Sequence, residues 1–303
     1  MNMKLKAFLL LAVFALPLLA QSSNQHINST IYYLLISDIT GGKPDHHLLN
    51  DPAKVKAAKI RKMEAIKGTE YAVGSSATDE KGIKAFGRRE IIEFDKNGNP
   101  LKYSYYNYSW GGSFTEMIFT YNPNGDITGA SVSSRDTTGK KVTWSGKYKF
   151  KTESGRLTGI TWEDDPGGKR SPLYDKYEFS YRSDGTLEKV FAGKNGTVKI
   201  RCDEKGRVSV FISFNMSYQY NYDLKGVVNA ERYFDTDEET EWGMNYEFDP
   251  KGNLLSITSG DENNFEQKIY TPGKDGFPAT AKYIEQGNET RVGANLEFRY
   301  TKW

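Results

Sequence analysis

The residues able to do chemistry are few. His46 and His47, with Asp45 and Asp51 nearby, are of the types that bind a metal ion. Adjacent histidines point apart on most backbones, and no cysteine or glutamate follows at the spacing of a zinc site, so a polar loop is expected. Cys202 is the single cysteine and a candidate nucleophile. Its slot in the pattern described below places it on an apolar face beside Val198 and Ile200, where a thiol behaves as a small inert hydrophobe. Residues 235–241, DTDEETE, open like a calcium loop but lack the glycine needed at its sixth position. Residues 164–170, DDPGGKR, have neither the spacing of a phosphate-binding loop nor a helix after it. No convergent acid–base or metal set emerges, so the chain is expected to be no enzyme and to hold no cofactor and no metal.

Two stretches could bind rather than react. Lys54, Lys56, Lys59, Arg61, Lys62 and Lys67 form a basic run suited to lipopolysaccharide or an acidic glycan, or simply to a solvated face. In YSYYNYSW, residues 103–110, alternation puts Tyr103 and Tyr105 on one face and Tyr106, Tyr108 and Trp110 on the other. Such rings can stack on sugars, or they can line the protein's own interior. Both faces of one strand cannot be core in a single-layer sheet. An envelope glycan or protein is the partner class this leaves. The formal net charge of +2 gives no reason to expect nucleic acid.

The N-terminus has the pattern of a secretory signal peptide: Lys4 and Lys6, an apolar run from Ala7 to Leu19, then Ala20 as the exit residue. The run is shorter than the roughly 20 residues of a membrane span. The division expected is therefore a leader at 1–20, an N-terminal segment at 21–82 and a β-domain at 83–303. The protein is expected to be exported: periplasmic, outer-membrane associated or secreted. With one cysteine it has no internal disulfide. Within 21–82, TIYYLLISDI reads as a candidate strand. NDPAKVKAAK reads as a short helix capped by Asp51, with Pro52 at its first position. KIRKMEAIKGTEYAV is a candidate opening strand.

The β-domain is organised by glycines that follow a short polar turn: Gly98, Gly125, Gly155, Gly185, Gly206, Gly226, Gly252 and Gly276. Four residues before six of them stand Phe94, Tyr121, Tyr181, Cys202, Tyr222 and Phe248. Six residues before stand Ile92, Phe119, Phe179, Ile200, Tyr220 and Tyr246. Polar residues such as Glu93, Asn221 and Glu247 lie between, which is the period of a half-buried strand. Asp95, Asn122, Asp203, Asp223 and Asp249 open the turns three residues before glycine, as a type I turn ending in a left-handed residue requires. Each unit is thus a β-hairpin with its aromatics on one face. Gly146, outside these turns, is expected to tolerate a side chain better than the turn glycines do.

YEFDPKGNLL, YNYDLKGVV and FTYNPNGDI resemble the YD repeats of the RHS family, over roughly residues 83–286. The resemblance implies one long coiling antiparallel sheet. No toxin domain follows the repeats, so the toxin encapsulation known in that family is not implied. The expected fold is all-β: about 16 antiparallel strands from repeated β-hairpins, forming one long coiled or barrel-like sheet with a short N-terminal helix. The expected role is non-catalytic, structural or binding, in the bacterial cell envelope. The alternatives are an outer-membrane β-barrel and a glycan-active enzyme. Against the membrane barrel stand the aromatic rather than aliphatic mid-strand slots, the short loops, and a last strand that would present Glu297, Arg299 and Thr301 to lipid.

Overall fold

The structure, a computed structural model, describes residues 27–32, 34–39, 52–67, 88–107, 113–136, 139–166, 176–193, 198–213, 216–222, 228–235, 240–251, 253–260, 265–286 and 290–303. Helix α1 (27–32 and 34–39) and helix α2 (Pro52–Ala57) precede the strands. The first nine are β1 (Ile60–Lys67), β2 (Arg88–Phe94), β3 (Pro100–Asn107), β4 (Ser113–Tyr121), β5 (Ile127–Asp136), β6 (Val142–Glu153), β7 (Arg156–Asp164), β8 (Lys176–Tyr181) and β9 (Leu187–Ala192). The rest are β10 (Val198–Cys202), β11 (Val208–Ser213), β12 (Met216–Tyr222), β13 (Val228–Asp235), β14 (Thr240–Phe248), β15 (Leu254–Gly260), β16 (Phe265–Pro272), β17 (Pro278–Gln286) and β18 (Thr290–Lys302).

Four of the repeat turns are held by the side chain of their first residue. In the β2–β3 turn, Asp95 Oδ1 accepts the amides of Asn97 and Asn99, both at 2.8 Å, and the Asp95 carbonyl accepts the Gly98 amide at 3.1 Å. Asn122, Asp203 and Asp249 make the same side-chain bonds in their own turns. Gly98 and Gly125 sit at φ near +87° and +86°, where a Cβ would clash with the backbone. Beside the turn the register slips by one residue, between Glu93 and Phe94, Thr120 and Tyr121, Asn221 and Tyr222, and Glu247 and Phe248. These are β-bulges, which bend and twist the strand. A bend at the same place in hairpin after hairpin curls the sheet.

The residue at the bulge has a second task. Tyr181 Oη donates to the Leu157 carbonyl at 2.8 Å, and Tyr222 Oη donates to the Val208 carbonyl at 2.6 Å. Tyr121 donates to the Pro100 carbonyl, and Tyr300 to the Pro278 carbonyl at 2.8 Å. Every acceptor is two residues past the glycine of the preceding repeat. The slot tyrosine therefore clasps its own hairpin to the one before, satisfying a carbonyl beside the bulge. Cys202 fills this slot in its repeat and has no hydroxyl to offer. There the corresponding carbonyl, of Leu187, accepts from Arg182 Nη1 at 3.1 Å, and Arg182 also reaches the carbonyls of Cys202 and Asp203.

All neighbouring strands pair antiparallel in chain order, and β1 pairs with β2 on one side and with β18 on the other. The sheet of 18 strands is a closed ring. About 16 strands were expected over residues 83–303, which hold 17, β2 to β18; β1, read as a candidate opening strand, makes the seam with β18. The seam closes from Ile60 opposite Lys302 to Lys67 opposite Leu296. Tyr103, Met117, Tyr148, Ile160, Tyr177 and Ile200 point inward and are fully buried. Phe179 and Tyr220 are buried, while Tyr181, Tyr222, Tyr246 and Phe248 pack against that core. Asn221 and Glu247, between them, are exposed. The aromatic slots thus line the interior, as alternation predicts.

The described residues of TIYYLLISDI form not a strand but part of α1. Ile31, Tyr32, Leu34, Leu35 and Ile36 are at most 2% exposed, and Asn28, Thr30 and Asp38 are buried too, so the helix is buried on all sides within the core. Its β-branched and aromatic content favours a strand. Inside a closed ring, however, no strand edge is left to pair with, and a helix satisfies its backbone internally. Short helix α2 forms where Pro52 predicts it and lies over the Gly98 turn. Gly146 is not the permissive position expected. A Cβ there would stand 2.4 Å from the Glu163 carbonyl oxygen and from the Trp162 ring.

Replacing Tyr222 by Phe should remove one clasp and cost about 1 kcal/mol in denaturant unfolding; unchanged stability would mean the Val208 carbonyl does not depend on it. Gly125→Ala meets nothing within 4 Å and should cost only the positive-φ penalty, about 1 kcal/mol. Gly98→Ala should cost clearly more, because its Cβ would lie 2.1 Å from the Pro52 carbonyl oxygen. Equal losses at the two glycines would remove the α2 contact from the account.

Candidate functional site: the filled barrel and its outer wall

The interior is occupied by α1, held by a few polar contacts. Asn28 Nδ2 donates to the Gly125 carbonyl at 2.8 Å, and its Oδ1 accepts the Ile127 amide at 3.2 Å. These bonds fix one end of the helix at the β4–β5 turn. Tyr32 packs edge-on against Phe119, with centroids 4.9 Å apart, and its hydroxyl meets that of Tyr121. Burial, the neighbouring Tyr121 and Asp95 hold the Tyr32 hydroxyl well above the ordinary tyrosine range, so it stays protonated. Further along, the buried Asp38 carboxylate accepts from Tyr148 Oη. A buried carboxylate needs such donors to offset its lost hydration.

Away from the repeat turns the wall carries an aromatic group. Trp162 packs on Tyr148 at 4.9 Å and on Trp144 at 6.1 Å, and Trp162 Nε1 donates to Asp164 at 2.7 Å. Gly146, opposite Asp164 in the register, leaves the space that the Trp162 ring takes.

The outer wall is charged, and its charges are cross-linked. Glu163 pairs with Lys149 at 2.6 Å and Lys147 at 3.6 Å, and Lys176 pairs with Glu178. Arg299 pairs with Glu297 at 2.8 Å on β18. The Lys149 hydrogen bond holds the Glu163 carboxyl below its ordinary value, and Arg299 does the same for Glu297. Arg89 and Lys62 converge on Glu64, at 2.6 and 3.7 Å, and cover it. The residues in the outward register of β18 are thus Glu297 and Arg299, as alternation predicts, and this strand nevertheless closes the ring. Its inward residues are Phe298 and Tyr300.

The sequence candidates fall as follows. Cys202 is a buried free thiol, and burial, with Asp203 beside it, pushes it up to about 12. Such a thiol is not a nucleophile at neutral pH. The basic run is dispersed. Lys54 donates to the Gly276 carbonyl and lies over the Phe277 ring, Lys62 pairs with Glu64, and Lys56, Lys59 and Arg61 are exposed. Tyr103 and Tyr105 are core, whereas Tyr106 faces outward. Asp45, His46, His47, Asp51, Tyr108, Trp110, Gly226 and Gly252 lie outside the described residues, as do the leader, residues 167–170 and residues 236–239. Among the described residues no group of three or more His, Cys, Asp or Glu could hold a metal ion.

These features define a closed antiparallel barrel with an apolar, helix-filled interior and a polar outer wall. No family model matches the chain, and no curated protein matches it. Among solved structures it is similar to a porin-like protein from Bacteroides uniformis, at 13% identity over 80% of this chain and 98% of that one, with a TM-score of 0.40. A porin-like protein from Bacteroides vulgatus matches at 9% identity over 80% and 98% of the two chains, with a TM-score of 0.28. TcdB2-TccC3 without its hypervariable C-terminal region matches at 11% identity over 71% of this chain and 16% of that one, with a TM-score of 0.32. Likeness at this level transfers no role.

The turn carboxylates give the barrel an acid limit. Burial alone would raise Asp203, but Arg207 and the amides of Arg207 and Lys205 outweigh it and hold Asp203 below its ordinary 3.8. The Asn253 amide does the same for Asp249. A lowered folded pKa means the stabilisation is present above the ordinary value and lost as pH falls through the folded one. Stability should therefore hold above pH 3.8 and fall below it. Acid unfolding of Asp203→Asn should be flatter in that window; a curve identical to the parent's would exclude Asp203 as a contributor.

Proposed function

We propose that this chain is an exported protein of the bacterial cell envelope that works in water, in a structural or binding role without catalysis. The observation that carries this reading is the direction of the barrel wall. A porin needs an apolar band facing lipid and a polar, water-filled lumen. Here the aromatic slots of the repeat and α1 are inside, while Lys147, Lys149, Glu163, Lys176 and Glu178 stand outside. Lys149 and Glu163 are 57% and 46% exposed, in mid-barrel strands where a lipid band would have to run. Moving such charges into hydrocarbon costs about 2–4 kcal/mol for a mid-membrane Lys. The leader pattern supports export, and the repeat motif supports an RHS-type hairpin array.

Expression with the native N-terminus followed by fractionation tests the reading. The protein should be exported and released from the membrane pellet by a carbonate wash. Retention in outer-membrane vesicles after the wash, with channel activity in planar bilayers, would overturn it in favour of a pore.

A further inference from the structure

Many charges of the described outer wall are paired, but Arg135, which has an aromatic neighbour, is in no ion pair. The register aligns Arg89 with Tyr106, Tyr106 with Phe114, Phe114 with Arg135, and Arg135 with Val142, one residue from each of β2 to β6. This row crosses the outer face. Tyr106 and Phe114 stack at 4.3 Å with 29° between their planes, and the Arg89 guanidinium lies 5.2 Å from the Tyr106 ring. Arg89 is also bound to Glu64. Arg135 is different. Its Nε is buried and meets no hydrogen-bond partner, while Val142 beside it is 50% exposed. Elsewhere on this wall Lys102 has Glu116, Lys149 has Glu163 and Arg299 has Glu297.

Among the described residues no carboxylate pairs with the Arg135 guanidinium, and a ligand carboxylate would meet its Nη groups rather than the buried Nε. Rings beside it call for an apolar surface held close to that carboxylate. A uronic acid residue carries both on one small unit: a carboxylate and a face of C–H groups. Five strands at about 4.8 Å spacing give a row about 19 Å long, room for several linked sugar rings. We propose that the outer-face row Arg89–Tyr106–Phe114–Arg135 is a binding strip for an acidic, uronate-containing glycan, with Arg135 taking a ligand carboxylate. This inference rests on the reading that the outer wall faces water.

Titration calorimetry on the purified full-length protein tests it, with polygalacturonate and alginate as probes and dextran and poly-glutamate as controls. At least one uronate polymer should bind, dextran should not, and poly-glutamate should bind more weakly. Arg135→Gln should weaken uronate binding about tenfold or more, the loss of one charge-assisted bond. Phe114→Leu, which keeps apolar volume but removes the ring, should also weaken it. If circular dichroism shows one variant misfolded, the other decides. Failure of both uronate polymers to bind, equal affinity for poly-glutamate, or unchanged binding in the folded variants would overturn the proposal. A protein that is washed free of membranes yet binds no uronate defeats this inference alone. One that stays in the membrane defeats the water-facing reading first.

Discussion

The ring has no edge, and that constraint governs what the rest of the chain must do. An open sheet leaves a row of unpaired amides and carbonyls on each side. Here β1 takes β18 as its second partner, and the ladder is complete. Rings of 16 to 18 strands enclose more space than ordinary side chains fill, and porins leave it to water. This chain fills it twice over, with tyrosine and phenylalanine in the inward slots and with α1 between them. The aromatic repeat is thus a volume requirement, and the inner helix is the conformation left to a segment that can find no strand partner.

Tyrosine in the bulge slot answers a second need, which phenylalanine cannot. Its ring packs against the interior while its hydroxyl reaches a carbonyl beside the turn of the preceding hairpin. Arg182 supports this reading from the exception. Where Cys202 supplies neither ring nor hydroxyl, a guanidinium from the neighbouring turn takes over the Leu187 carbonyl. The slots filled by Phe94 and Phe248 keep the ring and do without this bond.

Much of this was legible in the sequence because hairpins are local. Asp95 with Gly98, or Asp249 with its own turn amides, acts over three or four residues, and alternation fixes which side each ring takes. The contents of the barrel were not legible in the same way. Residues 27–32 and 34–39 carry strand-like side chains but are helical, inside a ring closed by the distant pairing of β1 with β18. Gly146 was misread for the same reason, since its constraint is the Trp162 ring from the next strand. The outer row was half visible. Tyr106 stood apart from Tyr103 and Tyr105 by alternation, but Phe114 and Arg135 joined it only through register.

The seam also sets an order of events. Helix α1 is made before any strand, whereas β18, which completes its enclosure, is made last. Until Phe298 and Tyr300 dock beside β1, the most apolar segment of the described chain has no finished container. Contacts between such distant segments form slowly, because the loop entropy is lost before the contacts repay it. During that interval the chain exposes the surface that drives aggregation. Truncation that removed β18 would leave α1 uncovered on that side.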